Sequence, residues 1–78
     1  MSIRDEALGA SVGNAIAQDK RIGGQAIAVR AVNGEVFLKG RVDNEEQREL
    51  ALLVAQGVPG VRHVRLDELI VREGQEQE

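Results

Sequence analysis

The 78-residue chain contains no cysteine, tryptophan or tyrosine, and only one phenylalanine, one methionine, one histidine and one proline. Without cysteine there is no disulfide framework and no thiolate metal site, and nothing marks a redox compartment. A lone histidine with no thiol beside it builds neither a common zinc site nor a nucleophile–base triad, and Ser2 and Ser11 have no base partner near them in the sequence. One aromatic residue leaves almost no platform on which nucleobases could stack, and a net charge of −3 is not that of a nucleic-acid polycation. The N-terminal stretch is charged at Arg4, Asp5 and Glu6 and holds no continuous apolar run, so it reads as neither a secretory signal nor a membrane span. These absences direct expectation away from enzymes, cofactor carriers and nucleic-acid binders. The localisation expected is cytoplasmic for a complete chain and envelope-associated for a fragment.

What is present is aliphatic patterning on the scale of one small domain. Leu8, Val12, Ala15 and Ile16 recur at helical spacing within residues 4–18, with Asp5 and Glu6 near the positive end of the helix dipole. Gly9 and Gly13 each weaken that helix by about 1 kcal/mol relative to alanine, so packing of the apolar stripe has to hold it. Gly9 and Gly13 also form a G-x-x-x-G spacing, read here as tolerated surface glycines in a helix too polar to lie in lipid. Residues 26–32 and 35–42 alternate with period two around Asn33-Gly34, the strongest short-range signal for a hairpin. One face carries Ile27, Val29, Ala31, Val36, Leu38 and Val42. The other carries Arg30, Lys39 and Arg41 beside Phe37 and Val32.

A second helix begins after Asp43 or Asn44, with Glu46 or Gln47 three residues on as a capping box. The run Asp43, Asn44, Glu45, Glu46 is therefore read as a cap rather than a cation loop, which would need to be longer. Leu50, Ala51, Val54, Ala55 and Val58 form the inward stripe, Leu52 and Leu53 fall away from it, and Gly57 and Pro59 end the helix. Gly57-Val58-Pro59-Gly60 matches G-x-x-G but is read as a turn, because its middle residues are not basic and it joins a helix to a strand. A last strand follows, with Val64, Leu69 and Val71 inward and a bulge near Leu66 and Asp67 where the spacing is uneven. His63 at its start is read as an exposed, solvated side chain.

The order is helix, strand, strand, helix, strand. The expected fold is α+β, with two helices on one face of a three-stranded mixed sheet: strands one and two antiparallel, strands two and three parallel across a right-handed crossover. Residues 1–72 would form one domain, and the polar, acidic tail 73–78 is expected to be disordered.

This pattern resembles the BON domain, named for bacterial osmotic-stress and nodulation proteins. The resemblance spans nearly the whole chain. It runs through Leu8, Val12, Ala15, Ile16, Asp19 and Ile22, then Ile27, Val29 and NGEVFLKGRV from Asn33 to Val42. It continues in Arg48, Ala51, Val54, Ala55 and VPGV from Val58 to Val61, and closes on Val64, Leu69 and Val71. The G-x-V-x-L-x-G-x-V string and V-P-G-V are its most specific parts. The chain departs from the family by one extra residue between Val64 and Asp67, and by Phe37 where a small polar residue is more usual. The resemblance implies a non-catalytic module associated with phospholipid membranes, envelope integrity or, in some members, a small ligand or ion, without a cofactor. The glycines are assigned structural roles: Gly34 in the turn, Gly40 for close approach of a helix to the sheet, and Gly60 for the lead-in to strand three.

Two features stand out from the scaffold. Arg30, Lys39 and Arg41 ring an apolar centre of Phe37 and Val32, a pattern suited to anionic phospholipid headgroups or an acidic partner. The plain alternative is a solvated strand face whose long stems cover the sheet. Leu52 and Leu53, taken with Phe37, suggest a protein partner or homo-oligomer. The chain is thus expected to be either a membrane-surface or ligand-binding module, or an assembly module.

Overall fold

A computed structural model of the chain describes residues 3–72. The elements are α1 (Ile3–Gln18), β1 (Ala26–Val32), β2 (Glu35–Val42), α2 (Glu45–Gln56) and β3 (His63–Val71). The sheet order is β1-β2-β3, with β1 antiparallel to β2 and β2 parallel to β3, as the periodicity predicts. The acidic tail, residues 73–78, lies outside the described residues.

The core is wholly aliphatic. Val12 and Ile16 of α1, Ala31 of β1, Val36, Leu38 and Val42 of β2, Ala51 and Ala55 of α2 and Leu69 of β3 are buried together with Ile22 from the turn after α1. Burying a side chain of this kind is worth roughly 1.5–3 kcal/mol. All of these positions lie on one side of the sheet, where α1 and α2 sit. Gly9, read from the sequence as a surface glycine, faces β1 instead: a Cβ placed there would lie 3.9 Å from the Ala31 nitrogen. Ala51 and Ala55 perform the same service for α2, their short side chains letting the helix lie close to the sheet.

The hairpin turn has the mirror-image form that matches strand twist. Asn33 and Gly34 both have positive φ, 53° and 83°. Gly40 corrects one expectation. It has φ 137°, and a Cβ placed on it would run into the carbonyl of Ala26 on β1 rather than into a helix. Its lack of a side chain serves strand–strand approach at the far end of the hairpin. Gly60, with φ 99°, turns the chain into β3.

The anticipated bulge is present. Phe37 pairs with Arg65 and Lys39 with Glu68, so Leu66 and Asp67 together stand opposite Leu38. The extra residue resets the alternation: Asp67 and Glu68 are both exposed, after which Leu69 returns to the core. Arg48 of α2 holds this irregularity from the helix side. Its Nε donates to the Leu69 carbonyl at 2.9 Å and its NH2 group to the Leu66 carbonyl at 3.2 Å.

Local caps agree with the sequence. The Asn44 side chain accepts the Gln47 N–H at 2.9 Å, and Gln47 Oε1 reaches back to the N–H of Asp43, one residue ahead of the cap, at 2.8 Å. At the end of α1 the Asp19 carboxylate accepts from the Arg21 N–H at 2.9 Å, and from its guanidinium at 2.9 and 2.6 Å. These bonds, the side-chain pair with Arg21 first, pull the Asp19 pKa down to about 2.

Candidate functional site: the open sheet face

Because both helices lie on one side, the outward side chains of the sheet stand unroofed among the described residues. The register arranges them in four rows: Val32–Glu35–His63, Arg30–Phe37–Arg65, Ala28–Lys39–Glu68 and Ala26–Arg41–Ile70, read from β1 through β2 to β3. Period two along β1 and β2 places all five residues singled out from the sequence, Arg30, Val32, Phe37, Lys39 and Arg41, on this surface. Phe37 occupies the central strand and is 36% exposed, flanked across the sheet by Arg30 and Arg65.

The third strand changes the character of the face. It contributes Arg65, Asp67, Glu68 and Ile70, and β2 adds Glu35, so the face is not the basic one that Arg30, Lys39 and Arg41 predict. Arg65 lies 3.2 Å from Glu35 and 2.8 Å from Asp67, bridging the two carboxylates. Its guanidinium is held more firmly protonated than an isolated arginine, first by the hydrogen bond to Glu35 and then by that to Asp67. Arg30, Lys39 and Arg41 meet no carboxylate within ion-pair distance among the described residues. The result is a mixed array of four cations and three acids around a small apolar centre. Ile70, 47% exposed, adds a second apolar patch at the Arg41 end.

Asp67, Glu68 and Ile70 escaped sequence reasoning because their facing depends on the bulge, whereas Glu35 and Arg65, in phase with Phe37 and His63, were open to the same period-two reading. The signal was there in the uneven spacing of Val64, Leu69 and Val71, which fixes where Asp67 and Glu68 must both turn outward.

Leu52 and Leu53 do not join this surface. Leu53 is 57% exposed and Leu52 half-buried, but α2 packs on the opposite side of the sheet from Phe37. The structure therefore separates the leucines from the aromatic residue with which the sequence grouped them. His63 is exposed in the row of Glu35. Among the described residues no group of three His, Asp or Glu side chains could hold a metal ion, and no helix is long and apolar enough to cross a membrane.

The element order and the glycine-bearing hairpin point to one family. A family model described as the BON domain matches residues 4–73. The chain belongs to the BON family. A search of curated proteins finds no match. Among solved structures, this BON domain is similar to the C-terminal domain of CdsD, described as the structural protein of the Type III secretion system of Chlamydia trachomatis. The TM-score is 0.68 at 16% sequence identity, over 86% of this chain and 33% of that one. The chain thus spans about one third of the length of that structure, and the likeness is one of fold.

Proposed function

We propose that this BON domain is a non-catalytic module that docks a protein partner on its open sheet face. The observation that carries the reading is the mixed charge of that face. A surface built for anionic headgroups gains from every added cation and loses with every acid. Here Glu35 and Glu68, with Asp67 in the bulge between the rows, share the surface with Arg30, Lys39, Arg41 and Arg65 around Phe37. Interleaved signs around an aromatic anchor give register and orientation to a protein partner. A fold shared with a domain of a structural protein is in keeping with an assembly role.

A second reading, binding to anionic phospholipid, is favoured by the three cations Arg30, Lys39 and Arg41 that meet no acid among the described residues. Photo-crosslinking separates the two. A photoreactive phenylalanine analogue at position 37, with another at the exposed α1 position Ser11 as control, is irradiated in cells and its adducts identified by mass spectrometry. Polypeptide adducts specific to position 37 support the proposal. Phospholipid adducts there, or no adducts beyond those of the control, overturn it.

A further inference from the structure

We infer that the open face is self-complementary and that a second copy of this chain is an occupant of it, packed sheet against sheet with the strands antiparallel. The inference rests on the reading of this face as a protein-docking surface. It follows from the order of charges in the four rows.

Two copies facing each other through their sheets can be related by a two-fold axis lying between the sheets, either along the strands or across them. An axis along the strands lays β2 on its own copy in the same row order. It sets Lys39 against Lys39, Arg41 against Arg41, and Arg30 against Arg65 of the second copy, all of like sign. An axis across the strands, at the level of Leu38, reverses the row order and exchanges the outer rows. Glu35 then faces Arg41 of the second copy, and Arg65 faces Glu68. Phe37 faces the Lys39 stem and ammonium, a cation–π geometry. On β1, Val32 meets Ala26 and Arg30 meets Ala28. At the outer end of β3, the exposed Ile70 meets the exposed His63. Each contact occurs twice by symmetry. Arg65 keeps its own Glu35 at 3.2 Å and Asp67 at 2.8 Å, and Arg41 and Glu68 of the second copy extend this bridge into a network. Like charges meet in one arrangement and opposite charges in the other, so the charge pattern selects the antiparallel one.

The bulge supplies part of this match. It brings Glu68 rather than Asp67 into the row of Lys39, which is the row that the axis carries over Arg65.

The size of the face sets the strength. Three strands about 4.8 Å apart and four rows about 6.8 Å apart give a flat footprint of roughly 400 Å² per copy. That is about half the roughly 800 Å² per partner of a standard stable interface, which places the dimer among weak associations in rapid exchange.

The test is a charge-exchange cycle read by sedimentation equilibrium and concentration-dependent NMR shifts, at low salt and up to about 3 mM protein. The wild type is expected to dimerise, with shifts confined to β1, β2 and β3 residues of the open face. Glu35→Arg alone and Arg41→Glu alone each weaken association by at least about tenfold. The Glu35→Arg/Arg41→Glu double variant recovers to within about threefold of wild type. Helical circular dichroism and retained core NMR shifts establish that each variant is folded, and Arg41→Gln, which touches no residue of its own chain through an ion pair, provides a milder second probe. A strict monomer throughout this range, or a double variant as weak as the worse single one, overturns the inference. So do concentration-dependent shifts centred on Leu53 and α2. A monomer that still forms position-37 crosslinks to another protein in cells would leave the docking proposal standing and remove only the second copy.

Discussion

The Asp5 carboxylate, in the first turn of α1, accepts the backbone N–H of Asn33 at 2.9 Å. The two are 28 positions apart in the sequence. In a two-residue hairpin the first turn residue directs its N–H out of the ladder, so the bond satisfies a group the sheet leaves over and ties the start of the helix to the tip of the hairpin. Asp5 is the one buried charged side chain among the described residues.

Removing that acceptor should cost more than an ordinary surface change. Asp5→Ala is expected to lower stability by about 1–3 kcal/mol, which for a domain of this size lowers Tm by roughly 4–8 °C per kcal/mol. Asp5→Asn keeps an acceptor oxygen and should lose less. Thermal unfolding of both variants decides it; equal losses would mean that the bond to Asn33 is not what Asp5 contributes.

Arg48 is expected to matter through its planar fork. Arg48→Lys cannot reach the Leu66 and Leu69 carbonyls together, and should cost about 1–3 kcal/mol while preserving the positive charge. Amide hydrogen exchange should accelerate first around Leu66–Leu69. Exchange that accelerates uniformly would argue that the guanidinium does not hold the bulge.

The glycines divide into two kinds, and substitution distinguishes them. At Gly40 a methyl group would run into the Ala26 carbonyl in a backbone conformation that alone costs about 1–3 kcal/mol, so Gly40→Ala should be the most damaging single methyl addition in the chain. Gly13 faces nothing within 4 Å, and Gly13→Ala should stabilise by about 0.5–1 kcal/mol through helix propensity. Urea unfolding midpoints moving in opposite directions would bear this out.

The Asp19–Arg21 pair makes a pH prediction of definite sign. The folded-state pKa of Asp19 is depressed, to about 2, below its ordinary value of 3.8. Its contribution is therefore complete above about pH 5 and is lost as pH falls from about 4 through 2. The gap in urea midpoint between wild type and Arg21→Gln should be flat at neutral pH and close across that acid window. A gap that is unchanged at pH 2 would show that the carboxylate does not act through Arg21.

The parts of the fold fixed by local chemistry were legible in the sequence. Asn33-Gly34 set the hairpin register, Asn44 with Gln47 marked the start of α2, and the broken alternation of Val64, Leu69 and Val71 located the bulge. What escaped depended on residues far apart in the chain. The bond from Asp5 to Asn33, the grip of Arg48 on β3, and the approach of Ala26 to Gly40 all join separate elements, and no periodicity reports them. The candidate site was half legible for the same reason. Period two put Arg30, Glu35, Phe37, Lys39 and Arg41 on one face, but Asp67, Glu68 and Arg65 joined it only once β3 was laid in phase beside β2.

The one-sided layering has a consequence for how such a chain can diversify. The core side chains all lie toward α1 and α2, whereas none of the twelve row positions on the far side belongs to the core or packs against it. Those twelve can be rewritten almost independently of folding, so that copies of a single ancestral unit could acquire distinct partners by recolouring one surface while the interior stayed as it was.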